Sequence, residues 1–459
     1  MIPTDCPESI NNNCVGVIVK NSGHFVSPFL ISSYKNDSLL NTQWFEGFNG
    51  TKKVTFSGSG FDKLIIDGNE IMPDMKRRNN TLRAKGILKR TEPLQLKFLA
   101  GVERSDRTQL FYSPLVGYNE YDHMLLGMAF YNSLIPSKKM EFILAPLYGL
   151  GSKSINGFAS AFYNWYPLGS EYNFFKPGNY FRNIKLGIVA RKFSDFNSPV
   201  GLNYSKIAPE LNMTILKKQA RSNVTQVIRI RNVNIIQQMA QYSYMDKNYS
   251  IYNYTYYVNE VSYLMKNKRK LNPCSADLVL QQGNGFVKTW VEGNYRFSFR
   301  KTRGLDLRFY SGKFLSNDLG NDFGFGMSGN NDYMRDHLFF DRNRAGGWIS
   351  QQFAMNEGGF KNSYSTYASN NWMTAINMMC STPFRIPIRF YADAGVGDRS
   401  TALEYDAGIA LTPFPGILEI YFPVFMAKEL NKNNYGEKIR FVFNINQLNP
   451  WEIIKNIAE

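Results

Sequence analysis

The densest group of side chains able to do chemistry lies at 332–341, Asp-Tyr-Met-Arg-Asp-His-Leu-Phe-Phe-Asp, where His337 sits among three carboxylates. Such a set could hold a divalent ion or serve as a base near neutral pH. A polar loop tip is the commoner meaning of such a run. His24 and His123 read as structural residues, and no two histidines stand at metal-ligand spacing. HExxH, GxSxG and the P-loop are all absent from the sequence. The 4 cysteines include no CxxC, which excludes a zinc ribbon or a thioredoxin-like site. Cys6 and Cys14 could close a short N-terminal loop in an oxidising compartment. A second polar set is spread along the chain: Asp393, Asp406 and Glu419, with Arg389 and Arg440. If each stands on the polar face of a strand, neighbouring strands about 4.8 Å apart bring these side chains together. An internal salt-bridge ladder is the first reading, and a selectivity element in a water-filled lumen is the second. No catalytic residue, metal ligand or cofactor site is assigned.

The elements that must carry these residues show a period of two. Ile184, Leu186, Ile188 and Ala190 alternate with Lys185, Gly187 and Arg191. Val291, Tyr295, Phe297 and Phe299 alternate with Glu292, Asn294, Arg296 and Arg300. Ile386, Ile388, Phe390 and Ala392 alternate with Pro387, Arg389 and Asp393, and Phe441 and Phe443 alternate with Arg440 and Asn444. Period two means strands with one apolar and one polar face. The runs are longer than the five or six residues usual in soluble sheets, and a tilted membrane-spanning strand needs roughly 9–11. The polar faces carry Arg, Lys, Asn and Glu. The pattern predicts an all-β chain, an antiparallel outer-membrane β-barrel with lipid outside and water inside. Phe297, Phe299, Ile388, Phe390, Phe422, Phe441 and Phe443 are expected to face lipid. Strand starts near 94, 108, 122, 138, 155, 179, 203, 223, 252, 275, 286, 304, 366, 385, 402, 416 and 437 make seventeen candidates, with 275 or 286 a possible part of a neighbour. Even numbers are the habit of bacterial barrels, so about sixteen strands are expected, fourteen to eighteen being the range. The stretch 315–365 reads as a long connector.

Composition agrees with this architecture. Aromatics reach 15% while mean hydropathy is −0.33, a combination that suits many amphipathic strands better than one apolar core. No run of 18 apolar residues occurs, so no transmembrane helix is expected. The first residues lack the basic start and apolar core of a signal peptide, so an export signal is expected to lie upstream. The net charge is +16, but the basic residues are dispersed and carry no nucleic-acid motif. Outer-membrane lipid and lipopolysaccharide are the expected partners. Short segments at 15–20, 29–33, 52–56 and 64–67, separated by Gly, Asn and Ser, predict a small β-sandwich-like periplasmic domain over 1–75. Residues 76–93 read as a basic linker, with no acid and seven cations between 76 and 90. The barrel is placed at 94–459.

The strings "WFEGFNGTKKV", "KLIIDGNEIMPDMKRRNNTLR", "FLAGVERSDRTQLFYSPLVGYNEYDHMLLGMAFYN", "YADAG", "ILEIYFPVF" and "IRFVFNINQLNPWEIIKN" resemble the C-terminal part of large Bacteroidota cell-surface proteins. Those carry an aminopeptidase-N-like zinc metallopeptidase unit, then a small β domain and a barrel-like region. The resemblance covers about 15–456. It implies a barrel that anchors or presents a peptidase unit, upstream in the same chain or separate. The family's zinc motif has no counterpart here, so no catalytic residue carries over. The alternatives are an outer-membrane channel or transport protein and a truncated zinc aminopeptidase.

Overall fold

The computed structural model describes residues 2–4, 14–21, 25–72, 74, 77–84, 94–101, 107–132, 138–167, 179–196, 200–219, 221–245, 247–300, 303–318, 323–329, 331–342, 347–362, 369–384, 386–427 and 435–444. The chain divides into two compact units, residues 1–112 and 113–459. Among the described residues no helix is long and apolar enough to cross a membrane.

In the first unit, β1 (Ile2–Thr4), β2 (Cys14–Asn21) and β5 (Gly50–Ser57) form one sheet. A second sheet runs in the order β4 (Ser38–Phe45), β3 (Phe29–Lys35), β6 (Lys63–Ile66), β7 (Thr81–Arg83). Val17, Val19, Val54 and Phe56 of the first sheet and Phe29, Ile31, Leu64 and Leu82 of the second share one buried core. This is the expected small sandwich. Leu82 lies in the segment read as a linker, and its strand pairs with β6, so ordered structure continues to residue 84. The remainder of that segment, 85–93, lies outside the described residues, as do His24 and Cys6. Cys14 is disulfide-bonded. β8 (Leu94–Phe98) runs parallel to the first residues of β9 (Thr108–Asn119).

The second unit is one antiparallel sheet in chain order. After β9 come β10 (His123–Tyr131), β11 (Met140–Gly149), β12 (Ser154–Trp165), β13 (Phe181–Phe196) and β14 (Leu202–Ile215). Next are β15 (Val224–Ser243), β16 (Asn248–Asn267), β17 (Cys274–Gly283), β18 (Phe286–Arg300) and β19 (Arg303–Asn317). The sheet ends with β20 (Trp372–Ser381), β21 (Ile388–Gly397), β22 (Glu404–Phe414), β23 (Leu418–Met426) and β24 (Arg440–Phe443). From β9 to β24 this makes sixteen strands, and β8, paired with β9, is a seventeenth of the same sheet among the described residues, within the expected fourteen to eighteen. The candidates at 275 and 286 are separate strands, joined by a two-residue turn at 284–285. Gly285 has φ +84°, a left-handed conformation that glycine adopts without steric cost. The seventeenth candidate start is β8, in the first unit.

Strand faces alternate as the sequence requires. Leu186, Ile188, Leu278, Leu280, Val291 and Phe309 are exposed. Residues on the opposite face of the sheet, such as Lys206, Glu260, Gln281, Lys288 and Arg308, are buried. A sheet that exposes its apolar face and buries its charged one is turned inside out relative to a soluble protein.

β15 and β16 stand apart by length. They pair over 20 residues, but β14 stays in register with β15 only as far as Gln237, and β17 with β16 only from Val258. The pairs Gln238↔Asn253 to Ser243↔Asn248 therefore form a two-stranded ribbon of roughly 20 Å, at about 3.3 Å per residue.

Candidate functional site: an internal plug and its ion pairs

The segment between β19 and β20 is rich in Gly, Asn and Asp and shows neither strand nor helix period. It is not an outlying loop. Its residues hydrogen-bond to the buried faces of strands from one end of the sheet to the other. At the β9–β10 turn, Tyr121 Oη donates to Asp341, and the Glu120 amide donates to the Phe340 carbonyl at 2.8 Å. On β13, Arg191 donates to the Asp336 carbonyl at 2.8 Å, and Asp195 takes both Nη atoms of Arg335 at 2.9 and 2.6 Å.

Asp336 is the centre of the contact. Lys206 of β14 donates to its carboxylate, and Arg231 of β15 reaches it twice, at 3.0 and 2.9 Å. Arg231 is held in place by Glu260 of β16 at 2.8 and 3.0 Å. Burial raises the Asp336 carboxyl, but Arg231 and Lys206 outweigh it and hold the group well below the ordinary carboxylate range.

Further round the wall, Tyr256 Oη of β16 donates to the Tyr333 carbonyl, and Tyr333 Oη donates to Gln281 of β17. Lys288 of β18, fully buried, donates to the Phe323 carbonyl at 2.9 Å and meets Glu357 at 3.5 Å. Burial raises Glu357, and the Lys288 ammonium and the Gly326 amide offset only part of that rise. Lys361 binds Asp393 of β21 at 2.6 Å. Arg440 of β24 donates to the carbonyls of Ser328, Phe360 and Asn362 at 3.1, 3.2 and 2.9 Å, and the Phe353 amide donates to the Phe441 carbonyl at 2.9 Å.

One segment that bonds to the first, middle and last strands must lie inside a sheet curled around it. Its apolar side chains complete the packing. Phe323, Phe325, Met327 and Phe360 are buried against Val258, Phe286, Tyr310, Phe314, Met373 and Ala375 of the wall. On β21, Gly395 lets the segment come close, since a Cβ there would stand 3.0 Å from Met327 Sδ. The lumen is therefore a packed interior at this level, where the sequence pattern suggested water.

The polar residues expected to form a ladder share the inner face, but among the described contacts no ion pair joins two of them. Asp393 and Asp406 are directly opposite on β21 and β22, and Lys361 of the plug is the cation both face. Asn377 of β20 also donates to Asp393, at 2.9 Å. Arg389 pairs with Asp306 of β19 at 2.9 Å, a carboxylate shared with Arg296 at 3.3 Å. Glu419 accepts from the Gly416 amide at 2.8 Å and from Tyr421 Oη. Arg440 binds only carbonyls in the hydrogen bonds given above. The wall is thus tied to the plug through Lys361 and Arg440 as well as to itself through pairs such as Arg389–Asp306 and Arg231–Glu260.

The carboxylates around His337 are likewise committed. Asp332 accepts the Asp336 and His337 amides and pairs with Arg342 at 2.9 Å, while His337 Nε2 contacts Asn356 at 3.0 Å. Lys206, Arg231, Glu260, Lys288, Glu357 and Lys361 were not singled out by the sequence. Their signal was a charged residue on a strand face facing charges in an aperiodic segment far along the chain.

Among the expected lipid-facing residues, Phe297, Phe299 and Phe390 are exposed, and Ile388 and Phe422 are half-buried. Phe441 and Phe443 need correction. Phe441 is buried, with its ring 5.6 Å from Trp348 and 6.4 Å from Phe340, and Phe443 stacks on Phe340 at 5.5 Å. The plug backbone runs beside this short strand, and plug rings cover its apolar side chains.

The inverted faces, the large antiparallel sheet and the filled lumen define an outer-membrane-type β-barrel. Two solved structures are similar to the chain. BamA from Haemophilus ducreyi lacking POTRA domains 1–3 is 11% identical, with a TM-score of 0.39, over 73% of this chain and 71% of that one. CdiB from Acinetobacter baumannii is 9% identical, with a TM-score of 0.33, over 71% of this chain and 60% of that one. No family model and no curated protein matches the sequence.

Proposed function

We propose that the protein is a membrane anchor of the bacterial outer membrane, a β-barrel closed by its own β19–β20 segment and not itself catalytic. The observation that carries this reading is the ring of ion pairs and hydrogen bonds from Asp195 to Arg440 that fixes the segment across the lumen. An open diffusion pore would leave those charges to water. The exposed apolar strand faces supply the contact with lipid, and lipopolysaccharide is the outer-leaflet partner. Presentation of a metallopeptidase-type unit rests on the sequence resemblance alone, and the small sandwich of the first unit is where such a unit would join.

The test is conductance in planar bilayers of the refolded chain. A closed anchor gives a quiet membrane, and deletion of 323–362 opens it. Steady ion flow through the intact chain would refute the reading. A transport role is the second reading, favoured by the polar character of the plug contacts, since ion pairs can exchange partners where an apolar core cannot.

A further inference from the structure

A cavity of about 620 Å³ lies between the inner face of the β15–β16 ribbon and the plug. That volume falls within the roughly 300–1,000 Å³ usual for small-molecule sites. One wall is a row of tyrosines on β16. Tyr252, Tyr254 and Tyr256 alternate along one strand face, roughly 6.6 Å apart from one to the next. Tyr256 Oη bonds the plug, so this face looks inward and is not part of an aromatic girdle against lipid. Tyr252 and Tyr254 remain 49% and 43% exposed, too open for core residues. Gln237 and Met239, opposite Tyr254 and Tyr252, complete the wall.

The floor is polar, and both of its arginines are paired with carboxylates. Asp195 takes Arg335 at 2.9 and 2.6 Å and Gln237 at 3.2 Å, Asp332 takes Arg342 at 2.9 Å, and Asp341 takes Tyr121 Oη. An anionic ligand finds both floor arginines already paired, and an apolar one would cover hydrogen-bonding groups without satisfying them. Tyrosine presents a flat apolar face with a polar edge. Flat rings above a floor of amide, carboxylate and guanidinium edges suit a ligand with C–H faces and a rim of hydroxyls.

We infer that this cavity is a binding site for a neutral oligosaccharide. Long loops of such barrels face the cell exterior, and the ribbon and the plug both arise at that end. The inference rests on the barrel reading but not on whether the barrel conducts.

The test uses the full chain in detergent and an array of neutral tri- to hexasaccharides of glucose, mannose and N-acetylglucosamine. Oligogalacturonate and a library of extended uncharged peptides serve as controls. At least one neutral glycan is expected to be retained above both controls. In calorimetric titration with that glycan, Tyr252→Ala or Tyr254→Ala should weaken binding at least tenfold, and Tyr254→Phe should stay within threefold. Both residues are half-exposed, so their variants should keep the wild-type heat-modified gel mobility. Retention of no neutral glycan overturns the inference. So does preference for the acidic glycan or the peptides, or affinity indifferent to both alanine variants. Loss of the heat-modified mobility in the wild type would instead refute the barrel itself.

Discussion

Asp336→Ala should unlatch the plug. The carboxylate serves two wall cations, and they lose unequal amounts. Arg231 keeps Glu260 at 2.8 and 3.0 Å. Lys206 keeps only a 3.5 Å contact to the Arg335 carbonyl, and its side chain is 3% exposed. The stranded ammonium therefore dominates the cost. Removing one partner of a buried ion pair costs about 3–5 kcal/mol. At roughly 1.4 kcal/mol per factor of ten, the equilibrium between docked and released plug shifts by two to nearly four powers of ten. Single-channel recording in planar bilayers reads this as a rise in open probability over a quiet wild type. Adding Lys206→Met to Asp336→Ala removes the stranded charge and should return much of the quiet. Equal silence in the wild type and Asp336→Ala, together with unchanged thermal mobility shifts on gels, would refute the latch. A double variant more open than Asp336→Ala would place the cost elsewhere than Lys206.

The same carboxylate sets a pH dependence. Its docked pKa lies well below that of a free aspartate, about 3.9, so its contribution is complete above that value and is lost as pH falls through the docked value. Open probability should not change through Asp336 between pH 7 and 5, should rise under stronger acid, and should lose that acid component in Asp336→Asn. Lys361→Met leaves Asp393 facing Asp406 with only neutral donors, Asn377 at 2.9 Å and the residue 361 amide at 3.1 Å. A loss of about 3–5 kcal/mol is expected, read as a lower unfolding temperature in detergent. Leu278→Arg puts a cation on the outer face in mid-strand, where the wild-type side chain is 51% exposed. About 2–4 kcal/mol of assembly free energy should be lost, visible as a smaller heat-modifiable fraction after refolding into lipid vesicles. Unchanged assembly would mean that Leu278 does not meet hydrocarbon.

Most of the sheet was legible because alternation is a local property. A strand such as β13 announces both faces within ten residues, and the starts read at 94, 108, 286 and 304 fall within a residue of the observed ones. The plug was illegible for the converse reason. Its contacts join residues far apart, Lys206 with Asp336 and Ser328 with Arg440, and no periodicity marks a segment whose backbone bonds are irregular. The error at Phe441 follows from the same gap. Alternation with Arg440 placed its ring outward correctly for a bare strand, but the Phe353 amide approaches its carbonyl and Trp348 covers the ring.

One signal for the plug was present in the strands themselves. A wall with lipid outside and water inside needs a polar inner face, yet β20 reads Trp-Met-Thr-Ala-Ile-Asn-Met-Met-Cys-Ser. Trp372, Ile376 and Met378 are exposed on one face, while Met373, Ala375 and Met379 are buried on the other. Water in the lumen would make those inner methionines a cost. An apolar residue on both faces of a barrel strand therefore requires a second apolar body inside. Phe325, Met327 and Phe360 supply it in the cluster that holds Met373 and Ala375, and Phe353 supplies it beside Met379. The charged inner positions point the same way. Lys288 and Glu260 are buried more completely than groups bathed in a wet channel, and a cation sealed from water needs its counter-charge brought to it. Inner-face hydrophobicity in β20 and sealed cations in β14, β15 and β18 are thus two consequences of one cause, a lumen filled by the chain's own 323–362 segment.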